Sequence, residues 1–377
     1  MNKAEVRAMF PVTRNVVYLN HAAVGPLSTR AYEAMERHAR DQRDFGALHW
    51  REWDRQYELF RQSAARLLNC SPGEIAILKN TSEGLSFVAE GFRWKSGDNV
   101  VSTDLEFPSN VTPWKNLARR GVELRIVESR GGAYTVDDVA KLIDANTRIV
   151  TVSSVAFHNG FAADLDGIGE LCAQRNILFC VDAIQSLGAL PMDVRRSKIA
   201  FLAADGHKWL CGPEGAATFF VAEEHRDKLD VIEHGWMNID RRGKFIDCSM
   251  DLRPDSRRFE AGSLNTNGIY GAHAAMDLLL EIGIDEIATE VRRIAGLLAD
   301  RLESIGYRLG TPRPIASGIV GAVPPVVETN TLLRLHRRLE EAGIVCAPRE
   351  GMLRFAPHFY NDESDVERVI DVLRIVE

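Results

Sequence analysis

The chain has 377 residues, 45% hydrophobic and 26% charged. That is the balance of a soluble globular protein, with enough length to bury a large core split over more than one domain. The net charge of −7 and the lack of any lysine and arginine run argue against nucleic acid as a partner. No stretch approaches the ~18 consecutive apolar residues of a membrane span, and the start MNKAEVRAMFPVTRN has no apolar signal region. Six cysteines without a CxxC pair read as reduced thiols of a cytoplasmic protein, and no metal site is expected.

From the N-terminus, Tyr18 to Ala23 reads as a short strand entering a turn closed by Gly25 and Pro26. A long helical region then runs to Asn69, with Phe60, Ala64, Leu67 and Leu68 on one face. Ser71-Pro72-Gly73-Glu74 has capping-box spacing with proline at the first helical position, so one helical turn precedes the next strand. Strand 75–78 leads into Asn80-Thr81-Ser82-Glu83-Gly84 and an apolar-periodic helix. Hydroxyls and free N–H groups at a helix N-terminus make a phosphate site, although a plain N-cap would use the same residues. Strands at 99–103, 123–127 and 148–153 alternate with helices at 109–119 and 136–144, the pattern of a mostly parallel sheet.

Two more apolar runs, 177–181 and 199–204, end on Asp182 and on Asp205-Gly206-His207-Lys208. In an open α/β sheet, ligands bind at these carboxyl ends. A lysine directly after a buried strand is poorly solvated, so its amine can lose its proton and form a Schiff base. An aspartate beside it can hold a pyridinium nitrogen protonated, as pyridoxal phosphate requires. Either feature alone describes solvated charges at strand ends. The ordered set Asp182, Gln185 and Gly206-His207-Lys208 is far more specific. A tight turn, Gly212-Pro213-Glu214-Gly215, then enters strand 217–221, and Cys211 reads as a small buried thiol. Residues 235–258 are polar and read as an exposed excursion. Helices from Gly268 onward break near Gly283. Short strands at 319–323 and 344–347, a helix at 329–342 and a last helix with Val366, Val369, Ile370 and Leu373 on one face form a small α/β domain. The expected division is a large domain over 16–280 and a small one built from 1–15 and 281–377.

VDAIQS (181–186) followed by GHKWLCGPEG (206–215) resembles the class V aminotransferase family of pyridoxal-phosphate enzymes. That family includes cysteine desulfurases, selenocysteine lyases, kynureninase and isopenicillin N epimerase-like proteins. The resemblance extends from YLNHAAVGP (18–26) through RFEAGSLNT (258–266) to MLRFAPHFYN (352–361). It implies the α/β fold of the aspartate aminotransferase superfamily, a large domain with a mostly parallel seven-stranded sheet plus a small C-terminal α/β domain. It further implies Lys208 as the Schiff-base lysine, Asp182 on the pyridine nitrogen, Gln185 near the ring hydroxyl and His207 near the ring or phosphate. Thr81 and Ser82 are expected on the cofactor phosphate, and Thr266 on the phosphate of a partner subunit, which makes the working unit a homodimer. The turn at His21 is placed at the mouth of the site, toward substrate. Arg354 matches the position that clamps the substrate α-carboxylate, work suited to a planar guanidinium that binds both oxygens.

The chain also departs from that pattern. Where cysteine desulfurases stack a histidine on the ring, it has Phe107-Pro108-Ser109-Asn110, similar to the FPS-containing loop of kynureninase; Phe107 supplies a π-face but no acid or base. Phe157 stands where many desulfurases have a ring-hydroxyl asparagine, with Asn159 nearby but out of register and His158 a loop histidine of open role. Asp205 stands where a serine often bonds the phosphate. A carboxylate ~4 Å from a phosphate charge would cost on the order of 4 kcal/mol, so Asp205 is expected to point away or to pair with a cation such as protonated His207. The stretch 343–354 is too short for the mobile loop that carries a desulfurase's nucleophilic cysteine, and Cys346 falls within a strand. The expectation is therefore a pyridoxal-phosphate enzyme acting on an amino acid by transamination or related chemistry such as β-elimination, with Lys208 moving the α-proton. The second reading is cysteine desulfurase or selenocysteine lyase-like, or isopenicillin N epimerase-like. From another class stands a non-catalytic pyridoxal-phosphate-binding protein.

Overall fold

The computed structural model describes residues 2–240, 246, 250–326 and 330–374. Seven strands form the central sheet: β1 (Ile75–Leu78), β2 (Asn99–Thr103), β3 (Glu123–Val127), β4 (Thr147–Ser153), β5 (Leu178–Asp182), β6 (Phe201–Asp205) and β7 (Ala217–Val221). Their spatial order is β1-β7-β6-β5-β4-β2-β3, and β7 alone runs antiparallel to its neighbours. Helices cover both faces, which is why the central strands read as continuous apolar runs rather than alternating ones. Within a run the period of two still sorts side chains: Phe179 and Val181 enter one core, Leu178 and Cys180 the other. The register pairs Ser153 with Asp182 and Asp182 with Ala203, so β4, β5 and β6 end together and present their carboxyl ends along one edge.

Local chemistry sets the element boundaries. The capping box at Ser71 and Glu74 is formed. The region expected as one helix up to Asn69 is two, Thr29–Phe45 and Trp50–Leu68, parted at Gly46 with φ +59°. The helix expected over 109–119 is one short α segment, Thr112–Asn116, between two 3-10 turns. Pro108 and Pro113 account for this, because a proline opens a helical turn but cannot donate within one.

The C-terminal part builds a four-stranded antiparallel sheet from β8 (Arg308–Leu309), β9 (Val320–Val323), β10 (Ala347–Arg349) and β11 (Met352–Phe355), in the order β10-β11-β9-β8. Helices Ile284–Ser304 and Glu363–Arg374 share its core. The N-terminal segment joins this body. Val17 and Tyr18 pair with Ile344 and Val345, Val17 and Leu19 pack in the same core, and Arg7 makes a two-pronged ion pair with Asp365 at 2.8 and 3.0 Å. Of the polar excursion at 235–258, positions 241–245 and 247–249 lie outside the described residues, as does position 329 of the helix expected over 329–342, observed as Thr331–Glu341. Among the described residues no helix is long and apolar enough to cross a membrane.

Candidate active site

The carboxyl ends of β5 and β6 open into a cavity of about 280 Å³. β6 ends on Asp205, and the turn that follows aims Lys208 into this space. The turn is braced from the N-terminal loop, since Gly25 N–H donates to the His207 carbonyl at 2.6 Å. A Cβ at Gly25 would lie 2.1 Å from the Lys208 carbonyl oxygen, so glycine is required for that approach. Beneath the lysine, the Trp209 carbonyl receives a hydrogen bond from His358 Nε2 at 2.9 Å. Burial lowers the Lys208 ammonium from its ordinary 10.5 to about 8, opposed by the nearby Asp182 carboxylate. Lys208 Nζ sits 5.6 Å from the centroid of Phe107, the apolar wall of the cavity.

Asp182 faces the cavity from the end of β5. Its carboxylate accepts a hydrogen bond from Ile184 N–H at 3.0 Å, and burial raises it to about 6. Gln185 lines the cavity with its amide already oriented: Oε1 accepts from Trp209 Nε1 at 2.9 Å and Nε2 donates to the Ala22 carbonyl at 3.0 Å. One Nε2 hydrogen remains for a ligand oxygen. At the other end lies the N-terminus of helix Thr81–Gly91, capped by Asn80, whose side chain accepts from Glu83 N–H. Asn80, Thr81 and Ser82 line the cavity there, and Ser82 Oγ bonds Ser109 Oγ at 2.8 Å. Asp205 does not present a bare carboxylate. Its Oδ1 accepts from Gly206 N–H at 2.7 Å, and its Oδ2 lies 2.9 Å from His207 Nδ1, at ion-pairing distance but poorly aligned for a hydrogen bond. Of the two arrangements expected from sequence, turned away or paired with a cation such as protonated His207, the geometry has Asp205 within ion-pairing distance of His207.

Arg354, on β11, closes the third side. It is 2% exposed, and its guanidinium donates to the Phe157 carbonyl at 2.8 Å and to Asn20 Oδ1 at 3.1 Å, while Nε has no partner. Among the described residues no carboxylate pairs with it, and burial, reinforced by the neighbouring Arg349 charge, lowers it to about 10. A buried guanidinium left without an anion is a seat for one. Phe157 and Phe107 meet edge to face at 5.2 Å and form an apolar wall of the cavity beside Arg354.

Two expected site residues lie elsewhere. His21 is fully buried behind the cavity wall, with Nδ1 2.8 Å from the Ala356 carbonyl and Nε2 2.6 Å from Tyr360 Oη. Burial drives its pKa well below 6.5. Both ring nitrogens are spent on joining the N-terminal loop to the C-terminal body, so the expected substrate role is corrected to a structural one, and Ala22 and Ala23 reach the cavity instead. Thr266 opens helix Thr266–Ile282 away from this chain's cavity, bonding Tyr57 Oη at 2.6 Å. Asn159 is committed to the Gly132 carbonyl and the Phe161 amide, and His158 does not line the cavity. Sequence reasoning named Asn80 only as part of the 80–84 segment and gave no role to Arg349 or Ser109 among the lining residues, to Asn20 as the orienter of Arg354, or to the buried Glu106 beside Phe107. Only Asn80 carried a readable signal, its N-cap position.

This donor set fits pyridoxal phosphate: an amine of lowered pKa, a buried carboxylate, an aromatic wall and hydroxyls at a helix N-terminus converge on one cavity. Among the described residues no cluster suited to a metal ion occurs. The aminotransferase class-V family profile matches residues 17–369. A probable cysteine desulfurase from Pyrococcus abyssi is 30% identical over 98% of this chain and 96% of its own length. The apo cysteine desulfurase of Thermococcus onnurineus NA1 superposes with a TM-score of 0.89 at 25% identity, over 98% of this chain and 97% of that one. The cystine C–S lyase C-DES, solved with its product cysteine persulfide, shares the fold with a TM-score of 0.91 at 23% identity, over 97% and 99% of the two chains.

Proposed function

The chain belongs to the aminotransferase class-V family, whose enzymes use pyridoxal phosphate, and we propose that it cleaves the Cβ–S bond of a cysteine-type amino acid and releases the sulfur directly. Carbon–sulfur chemistry is supported by the names of relatives such as the Pyrococcus abyssi probable cysteine desulfurase, although another full-length relative is named an uncharacterized aminotransferase. The observation that carries the direct route is the cavity's content: Lys208 and Arg354 both line it, and among the described residues no cysteine does. Cys346 is 4% exposed in the core of the small sheet, its thiol pushed up to about 12 by burial. A thiol that remains protonated and walled off is a poor sulfur acceptor. Cys172, Cys180 and Cys211 are buried and Cys70 is raised to about 12; Cys248 lies outside the described residues.

In this reading Arg354 holds the substrate α-carboxylate, with Asn20 and Phe157 fixing the guanidinium plane. Bound pyridoxal phosphate supplies the electron sink that acidifies the Cα–H bond. Asp182 holds a proton on the ring nitrogen. Lys208 Nζ takes the Cα proton, which its lowered pKa permits at mildly alkaline pH. The Cβ–S bond breaks with its electron pair on sulfur, and the Lys208 ammonium returns a proton to the leaving sulfide. The three-carbon remainder takes up water and ends as pyruvate and ammonia. Transamination uses the same lysine and arginine, and two relatives are named uncharacterized aminotransferases, whereas more are named cysteine desulfurases.

The test is the product pair. Cysteine given to the loaded protein under reducing conditions is expected to yield sulfide with equal pyruvate, unchanged in Cys346→Ala. Alanine as the three-carbon product, with sulfide release abolished in Cys346→Ala, restores the protein-persulfide route. A keto acid formed only with an amino acceptor present restores transamination.

A further inference from the structure

Behind Asp182 lies a second buried carboxylate that the chemistry above leaves unused. Glu106 Oε1 accepts from Ser153 N–H at 2.9 Å and Thr103 Oγ1 at 3.0 Å. Its Oε2 accepts from Ser153 Oγ at 2.6 Å and Asn110 Nδ2 at 2.7 Å. Asn110 is itself fixed, since its Oδ1 accepts from Trp114 Nε1 at 3.0 Å and Thr151 Oγ1 at 2.7 Å. The Ser153 and Asn110 amides can only donate, so this cradle is built for a carboxylate that accepts on both oxygens. Ser153, which holds Glu106 from the end of β4, is the register partner of Asp182 on β5, so the loop after β2 brings Glu106 to the same end of the sheet as Asp182. Glu106 also immediately precedes Phe107, the wall beside Lys208 Nζ.

Among the described residues, Asp182 and Cys180 of β5 and the Tyr134 hydroxyl are titratable groups that act on or feel Glu106, and no cation pairs with it. Burial raises Glu106 to about 7, against the pull of its Ser153 and Asn110 hydrogen bonds, with the Asp182 charge adding to the rise. A carboxylate kept without a countercation beside a second carboxylate is costly for folding alone. A protonated ring nitrogen held at Asp182 would offset that cost.

We propose that Glu106 is a positioning residue of this site: its ionised carboxylate acts through Asp182 to hold the proton on the cofactor's ring nitrogen, and its cradle pins Phe107 as the cavity wall. The proposal rests on the cofactor assignment above and not on the identity of the sulfur substrate.

The experiment is a pH titration of the visible band of the bound cofactor, without substrate, in the parent holoprotein, Glu106→Gln, Glu106→Asp and Ser153→Ala. Removing a charge about one strand away is expected to lower the midpoint by on the order of one pH unit in Glu106→Gln. Glu106→Asp, which keeps the charge, is expected within a few tenths of a unit of the parent. An unchanged midpoint in Glu106→Gln, or an equal fall in Glu106→Asp, overturns the proposal. Where Glu106→Gln does not fold, Ser153→Ala decides: a smaller fall in the same direction supports the assignment, and a parental midpoint overturns it. Sulfide release plays no part in this readout, so the carbon–sulfur reading can fail while the role of Glu106 stands.

Discussion

Replacing Arg354 by methionine separates what the site needs from what the fold tolerates. The guanidinium is buried without an anion and held at about 10 rather than 12.5. A shift of that size corresponds to about 3 kcal/mol of cost for keeping it charged at neutral pH. Because the folded state lowers the pKa of this cation, the cost is present at every pH below about 10. Methionine removes the charge and fills most of the volume. It also leaves the Phe157 carbonyl and Asn20 Oδ1 without their donor, at about 1 kcal/mol each. The net is a gain of about 1 kcal/mol, which for a chain of this length moves Tm by no more than about 2 °C. Substrate binding moves far more. Losing two charge-assisted bonds to a carboxylate costs about 3–4 kcal/mol, or roughly 10²–10³-fold. The assay pairs differential scanning calorimetry of the cofactor-free protein with titration of the loaded protein by cysteine and by cysteamine, which lacks the carboxylate. The expected result is near-parental Tm, an unchanged cofactor spectrum, cysteine binding weakened by at least 10²-fold, and parent and variant alike toward cysteamine. Equal loss for both ligands, or a Tm drop above about 5 °C, refutes the carboxylate-seat argument.

Other expectations follow from the same geometry. Asp182 is raised from 3.8 to about 6, so the stability it contributes is present below about pH 4 and lost as pH rises through 6. Cofactor-free Asp182→Asn should therefore match the parent at pH 4 and exceed it by about 3 kcal/mol above pH 6, and equal denaturant midpoints at both pH values would contradict this. Lys208→Ala should lose the visible band and the borohydride-reducible link to the cofactor, both measured on the purified protein. Gly25→Ala should displace the His207–Lys208 turn and weaken cofactor retention at least tenfold in equilibrium dialysis, because the new methyl meets a backbone oxygen at 2.1 Å. Thr266, which lies away from its own cavity, is expected to serve a partner's, so sedimentation of the active enzyme should show a two-fold dimer; a fully active monomer would remove that role.

Sheet and lysine were legible in the sequence because both depend on local pattern. Continuous apolar runs ending in Asp182 and in Gly206-His207-Lys208 specify strand ends whatever their neighbours are. Arg354 was legible only through resemblance, since nothing in Met352-Leu353-Arg354-Phe355 shows that an arginine on an apolar strand lacks an anion. His21 was misplaced for the converse reason. Its two partners, the Ala356 carbonyl and Tyr360 Oη, lie more than 330 residues along the chain, and a turn histidine gives no sign of them. Glu106 was invisible because a glutamate in a loop reads as solvated until Ser153, Asn110 and Thr103 are seen to enclose it.

The groups that matter most at this site all hold charge where burial opposes it. Lys208 and Arg354 are lowered while Asp182 and Glu106 are raised, each with burial as the leading cause. A protein selected for stability alone would replace these with apolar side chains of similar volume. Asp182 lies at the end of β5 with Glu106 held behind it by Ser153 of β4, while Lys208 stands on the 206–208 turn and Arg354 on β11. With the cofactor bound, Asp182 would hold its protonated ring and Arg354 would hold the carboxylate of an amino-acid substrate. Binding would then relieve in one event the cost that folding leaves standing, so the cofactor-free protein should be the less stable form by the full linkage free energy of loading. The same arrangement leaves Lys208 as the movable base. Substrate choice thus falls to the leaving group at Cβ, to the Phe107–Phe157 wall and to Arg349, the other arginine lining the cavity.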